Sequence, residues 1–532
     1  MKKGMLKSLA DSRRIKYSTL SLALCAVVIV LVILLNSIVS VLSNRFNWYV
    51  DMTKRQMFSL SDDAKAILAD INDDVELEII FPFDEDIIET DYAVSSSSGS
   101  IAYIYRTAKE IEKECDNVTV SYHDVIKDYA FYRDIGLHSY AKDTNILILR
   151  KNADGKYVEG DFRSYPINYF FVSKSATDNT LYAYNGELVF LSALIAISRD
   201  TVPTVYFTIG HNEKFLTGEL EELNYGNLAS AFGSGLIDSE AYMLLSIFCD
   251  SGFTIKPLDI RTQPIPEDAR MLVINQPTSD FTDDELYKLT TYLLNGGAAF
   301  CFTSHHAQLP GLYATLESNY GIKVNTSETD KVVDDSHRMT NGGVVHYLAN
   351  VSKDDDSFAS AKYFSKYSSY TSANAYYNGA GSLTIDPRYM NTNGYVTGAI
   401  SKYTYPLLES APTAVFGGES KVHHLMSITS IDNWSNENQH SVYSYLVVCP
   451  SSEFASSVAL SQSNANRHMI LSLIQTTSSV QTPVNLDYKP FVDYKLTITD
   501  SEARTVTVVL ATIIPAIIAI CGVVVIVRRK HR

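Results

Sequence analysis

The sequence predicts an α/β protein in which two transmembrane helices flank a large extracytoplasmic region, and three observations carry that expectation. Two runs without a charged residue, Leu20–Leu42 and Val506–Val527, each reach the roughly 20 residues a helix needs to cross a bilayer. Basic residues crowd their outer flanks, with Lys2, Lys3, Lys7, Arg13, Arg14 and Lys16 before the first and Arg528, Arg529, Lys530 and Arg532 after the second. Between the runs, short apolar segments alternate with amphipathic ones, the rhythm of strands and helices stacked in layers.

The first run is too long for the apolar core of a cleavable signal, and no convincing A-x-A site follows it, so it is expected to remain as an anchor. Pro515 inside the second is better tolerated in a membrane helix than in a soluble one. Positive flanks favour the cytoplasm, which places both termini there and the bulk of the chain beyond a plasma membrane. The expected organisation is a basic N-terminus over 1–18, a first transmembrane helix over 19–43, and extracytoplasmic α/β domains over 44–198 and 199–349. A Tyr/Ser-rich insertion and continuation of the second domain cover 350–485, and a linker covers 486–505. The second transmembrane helix covers 506–527, and a basic tail ends the chain over 528–532.

The 44 basic and 60 acidic residues give a net charge of −16. Because both flanks are basic, the remainder is more acidic still, which disfavours nucleic acid as a partner. Of the six cysteines, Cys25 and Cys521 fall in the uncharged runs. Cys115, Cys249, Cys301 and Cys449 form no C-x-x-C and stand at no metal spacing from histidine. A disulfide scaffold is not expected, and a single bridge stays open.

Along the chain, Ser59 or Ser61 can cap a helix over Asp62–Asp70 whose first turn is acidic. "VELEIIFPF" alternates as a strand, "IAYIYRTAKEIEKEC" has helical periodicity, and "NVTVSYHDV" is a second strand. A short helix, "YAFYRDIGL", precedes a hairpin turned on Asp154-Gly155. The order β-α-β-α-β-β resembles a thioredoxin-like fold without its redox dithiol, which leaves binding or a structural role rather than thiol exchange. An apolar helix, "GELVFLSALIAISRD", closes this part.

The next rhythm is that of a Rossmann/flavodoxin-like α/β domain. "TVYFTIG", "FTIKPLDI", "ARMLVINQP" and "AAFCFTS" read as strands, and "EAYMLLSIFCDSG" and "FTDDELYKLTTYLLNGG" as helices. The second helix has Thr282 as its cap and Asp283, Asp284 and Glu285 in its first turn. Near-continuous apolar strands imply a parallel sheet covered on both faces. Ligands of such sheets gather at the strands' carboxyl ends, which puts "GHNE", "NQPTSD" and "TSHH" on one edge. The Ser- and Tyr-rich stretch from about Asn350 to Gly381 reads as a loop or a β-rich surface. Further strands from "YPLLESAPTAVF" to "YSYLVVCPSSEF" are expected to rejoin the sheet, followed by a helix over "NANRHMILSLIQTTS".

No motif along this edge makes an enzyme. His211 and Glu213 could serve as an acid/base pair, but no G-x-S-x-G nucleophile elbow exists and Cys301 falls inside a strand. Metal binding by His211, His305 and His306 is disfavoured, since adjacent strand residues point to opposite faces. Neither a Walker loop nor a dinucleotide fingerprint occurs, so no cofactor is expected. Gly210 permits a positive φ and Asn212 tolerates a left-handed turn, so local structure alone explains much of "GHNE". The candidate ligand- or partner-binding residues are Gly210, His211, Asn212, Glu213 and Gln276, with none catalytic and none binding metal.

Several segments together resemble the GldG-like auxiliary proteins of ABC transporters. These are "DMTKRQMFSLS" after the first uncharged run, "VYFTIGHNE" with Asn212 where that family has glycine, and "ARMLVINQPTSDFTDDELYKLTTYLLNGG". "YGIKVNTSETDKVVDD", "NANRHMILSLI" and the C-terminal run with its basic tail continue the likeness. The resemblance implies a non-enzymatic auxiliary membrane subunit beside an ABC permease and ATPase, presenting an acidic domain to a ligand, extracellular or otherwise, or to a partner. The family has no established catalytic residues to carry over. The residues themselves leave two other readings open. One is a membrane-anchored module that binds or senses surface glycan or peptide through its tyrosines. The other is an ectoenzyme using His211 and Glu213.

Overall fold

The structure, a computed structural model, describes residues 57–491 with interruptions at 73, 85–98, 153, 174–179, 342–343, 352–374, 391–393, 436–439, 461–464, 484–485 and 487, and single positions between 26 and 38. Met1–Lys489 gather into one compact unit and Pro490–Arg532 into another.

The two flanking transmembrane helices of the expected fold class are not supported. Among the described residues, no helix is long and apolar enough to cross a membrane. Lack of charge makes a run apolar, but a span also needs about 20 consecutive helical residues. Described positions of the first run, such as Val27, Val30 and Leu31, are helical and exposed. The run Val506–Val527 lies outside the described residues, as do the linker from 492 onward and most of the Tyr/Ser-rich stretch. What the chain does form is a mixed α/β body with large sheets.

Its first part begins with α1 (Asp62–Leu68), capped by the Ser61 hydroxyl, which accepts from the Ala64 amide at 3.1 Å. There follow β1 (Glu76–Phe81), α2 (Ile101–Glu114), β2 (Val118–Tyr122), α3 (Tyr129–Asp134), β3 (Asn145–Lys151) and β4 (Tyr157–Pro166). These strands lie in the order β2-β1-β3-β4. β1 and β2 run parallel, whereas β3 is antiparallel to both β1 and β4. Gly155, in the β3–β4 turn, takes φ +72 with nothing near its missing Cβ. The short strands β5 (Phe171–Ser173) and β6 (Leu181–Tyr184) lead into α4 (Gly186–Ser198), which is buried along nearly all its length.

The larger sheet starts with β7 (Thr204–Thr208), whose five residues are all buried. Next come α5 (Leu228–Gly233), α6 (Tyr242–Asp250), β8 (Thr254–Leu258), β9 (Ala269–Asn275), α7 (Asp283–Leu294), β10 (Ala298–Phe302), α8 (Pro310–Tyr320) and β11 (Ile322–Asn325). Pro310 opens α8, where its missing N–H is no loss, and Gly321 closes it at φ +68. Further along come β12 (Arg338–Asn341), β13 (Val344–Val351), β14 (Ala375–Tyr377), β15 (Ser382–Ile385), β16 (Tyr395–Thr397), β17 (Ile400–Glu409), β18 (Val415–Phe416), β19 (Glu419–Ser420), β20 (His424–Ser435) and β21 (His440–Cys449), of which β18 and β19 form a separate two-stranded sheet. The helix α9 (Asn466–Ser478) follows.

The main path of this sheet reads β12-β13-β17-β20-β21-β10-β9-β7-β8. From β8 to β21 the pairing is parallel, and from β21 through β20 to β17 it is antiparallel. The seam is the β10–β21 pair, in which Phe302 faces Cys449 in register. One side of the seam packs Leu272, Ile274, Cys301, Ile431 and Leu446 against Leu286, Leu289 and Leu293 of α7 and Leu312 and Leu316 of α8. The parallel strands' carboxyl ends therefore emerge beside the start of α7. Cys115, Cys249, Cys301 and Cys449 are buried thiols that form no disulfide.

Candidate functional site

Three turns meet where β7, β9 and β10 end. The backbone of the first is set by Gly210 at φ +109 and Asn212 at φ +58, and that of the second by Gln276 at φ +56. Side chains with a Cβ adopt positive φ reluctantly, and such positions persist only where surrounding bonds over-determine them. Those bonds are present. The His211 carbonyl accepts from the Thr278 amide at 2.8 Å, and the Lys214 amide donates to the Asn275 carbonyl at 2.9 Å. Asn275 Nδ2 donates back to the Lys214 carbonyl at 2.6 Å. The Gln276 amide donates to Phe302, and its side-chain Nε2 donates to the Ser452 carbonyl at 2.8 Å. Gln276 thus stitches the ends of β9, β10 and β21 rather than facing a ligand with its amide.

His211 lies inside this edge, with 3% of its side chain exposed. Its backbone N–H donates to Glu213 Oε2 at 2.7 Å, and its Nδ1 stands 3.2 Å from Glu213 Oε1. On the other side its Nε2 stands 3.0 Å from Glu285 Oε1. The ring stacks on Phe281 with centroids 3.9 Å apart. Burial opposes a charged imidazole, but the Glu213 hydrogen bond and the charges of Glu213 and Glu285 outweigh it, so the His211 pKa is raised. Burial likewise works to raise the Glu213 carboxyl, and its hydrogen bonds, led by that from His211, bring it below the ordinary value. The trio is an imidazole ring held between two acidic side chains, and its raised pKa favours the protonated form.

Glu285 has a second duty. It is the third residue of α7, and its Oε2 accepts from both the amide and the hydroxyl of Thr282 at 2.7 Å, completing a capping box. One oxygen therefore closes the helix and the other faces the histidine. The sequence marks the cap but not the imidazole, because Glu285 and His211 lie far apart along the chain.

The outer rim is polar and exposed. Asn212 Nδ2 donates to the Thr278 hydroxyl at 3.3 Å. Arg261, after β8, clasps Asp259 through Nε at 2.9 Å and Nη2 at 2.8 Å. Its guanidinium passes within 2.6 Å of where a Cβ on Gly210 would sit, but this exposed side chain can swing aside, so it is the φ of +109 that calls for glycine there. Sequence reasoning placed Thr278 on this edge within "NQPTSD" but missed Arg261 and Glu285; only the capping pattern pointed toward the last.

The arrangement offers hydrogen-bonding groups but no reacting set. The ring is buried, with Nδ1 bonded to Glu213 and Nε2 3.0 Å from Glu285, so neither nitrogen opens to the rim. His305 and His306 lie after β10 with rings 4.8 Å apart, and the His305 amide donates to Gly379. Among the described residues, no group of His, Cys, Asp or Glu could hold a metal ion. A groove of about 540 Å³ lies elsewhere, at the amino ends of β9 and β10, lined by Pro264, Ile265, Tyr287, Tyr292 and Asn295. Of the clustered tyrosines, those before residue 375 lie outside the described residues, and Tyr376 and Tyr377 are buried.

Residues 202–336 match the model of a family described as ABC-type uncharacterized transport system. That stretch runs from just before β7 through α7 and β10 and so contains the whole edge. The match supports, at the family level, an auxiliary component of an ABC-type transport system. No curated protein matches the chain. A solved structure described as mmIFT52 N-terminal domain is similar over 51% of this chain and 96% of that one, at 14% identity. Its TM-score of 0.32 is too low to support any inference.

Proposed function

We propose that this chain is a GldG-like, non-enzymatic auxiliary subunit of an ABC-type transport system, and that the rim formed by Asn212, Thr278 and Arg261 contacts its ligand or its permease and ATPase partners. The family match over 202–336 supports the system. The observation that carries the site is backbone strain at two non-glycine positions, Asn212 and Gln276, on adjoining turns of one edge. Strain of this kind gathers at binding and switch sites, where the scaffold fixes it in place. The closed His211 cluster then acts as the foundation of the rim rather than as its chemistry.

The test is co-purification of the tagged full chain with ABC components, compared across Asn212→Gly and Arg261→Ala. Glycine keeps the left-handed turn and removes only the side chain. Retention that falls in both variants while their stability holds supports the rim. A tagged chain that retains no ABC component, together with transport unchanged on deletion of the protein, overturns the reading.

A further inference from the structure

Positive charge is in excess around Asp250, at the end of α6. Arg163 on β4 and Arg467 on α9 are each 5% exposed. Arg467 Nη2 donates to Asp250 Oδ2 at 3.3 Å and to the Tyr169 hydroxyl at 3.4 Å, and Tyr169 donates to the same carboxylate oxygen at 3.1 Å. The Nε and Nη1 of Arg467 are buried without a partner. Arg163 gives Nη1 to the Phe162 carbonyl at 2.8 Å and lies 4.4 Å over the Tyr225 ring, while its Nε is also buried without a partner. The two are joined by a run of rings, Tyr225 to Tyr165 at 5.9 Å and Tyr165 to Tyr169 at 5.1 Å.

A third guanidinium, Arg199, has its Nη groups on the carbonyls of Ser251 and Gln481. Burial and the like charge of Arg163 hold its pKa down, to about 10. Asp161 lies between Arg163 and Arg150, and Arg150 also pairs with Asp200 at 3.3 Å. Arg467 alone binds Asp250 directly, while Arg199 holds the carbonyl of the next residue, Ser251, and Arg163 lies over the Tyr225 ring. Buried cations are stable only when paired and hydrogen-bonded. Water would satisfy the free N–H groups without balancing the charge. A small doubly charged oxyanion does both, and guanidinium geometry suits it.

We propose that this shell is a binding site for an inorganic oxyanion, phosphate or sulfate, seated on the free nitrogens of Arg467 in the field of Arg163 and Arg199. The site is separate from the strand-end rim and does not depend on the transport reading.

The experiment uses the full chain, exchanged into chloride and unfolded by heat across a series of phosphate or sulfate concentrations at constant ionic strength. A specific site raises the midpoint saturably in either anion. Arg467→Met weakens the apparent affinity by more than about tenfold, and Asp250→Asn tightens it by removing the competing carboxylate. General exclusion of these anions from protein surfaces gives a rise that does not saturate and is alike in all three proteins, and that outcome overturns the proposal. If Arg467→Met does not fold, Asp250→Asn decides alone. Saturable, tighter binding supports the site. Destabilisation that neither anion reverses overturns it, since Asp250 would then be the sufficient counter-charge.

Discussion

His211 shows how a residue that reads as chemistry can be structure. Truncating one member of a buried ion cluster leaves its partners uncompensated, so His211→Gln is expected to lower unfolding stability by about 3 kcal/mol. The loss should depend on pH. The folded His211 pKa lies above its ordinary 6.5, so its share of stability is complete below that value and disappears as pH rises through the folded one. The folded Glu213 pKa lies below its ordinary 4.5, so its share is complete above that value and disappears as pH falls through the folded one. Denaturation of wild type and variant across pH should show the largest gap between about pH 4.5 and 6.5. A gap that stays flat to pH 9 would remove the imidazolium from the account. The sequence made His211, Asn212 and Glu213 visible as a polar turn after a strand. It could not reveal that Phe281 and Glu285 close over the ring, because that contact depends on where α7 starts in space.

Elements whose signals are local were the most legible. Thr282 with three acidic residues behind it announced α7, and Asp154-Gly155 announced the β3–β4 turn. The helix α8 was passed over, although Pro310 and Gly321 bracket it, because its apolar residues do not form a clean stripe. Gly321 tests its closure. Its φ is +68, and an added Cβ would lie 2.3 Å from the Tyr389 ring, whereas Gly155, at φ +72, has open space. Gly155→Ala should therefore cost about 1 kcal/mol from backbone conformation alone. Gly321→Ala should cost clearly more, about 2–3 kcal/mol, in the denaturant midpoint. Equal losses at the two sites would mean that the Tyr389 contact yields freely.

At the scale of the molecule, the pairing of β10 with β21 was not legible, since those strands lie far apart in sequence with the Tyr/Ser-rich stretch between them. The apolar flanking runs were legible as composition, but among the described residues no membrane-crossing helix carries them. Long-range polar ties were equally hidden. Glu187, 4% exposed, accepts from the Ser61 amide at 2.9 Å and hydroxyl at 2.7 Å, and pairs with Lys489 at 2.7 Å. It therefore joins the start of α1, the start of α4 and the end of the first compact unit. Glu187→Gln should speed hydrogen exchange and proteolysis across residues 59–70 before it affects the strands from β7 to β10. Uniform loss of protection throughout the unit would mean that these segments open only with the whole.

The two duties of Glu285 have a mechanical result. One carboxylate closes the first turn of α7 and stands 3.0 Å from the His211 ring, so Glu285→Gln is expected to disturb the helix start and the His211 turn together. That helix is a rod of about 18 Å, and near its far end stands Tyr292, whose ring an added Cβ on Gly297 would meet at 2.4 Å. The same helix therefore runs from the rim at the strands' carboxyl ends to the groove at their amino ends.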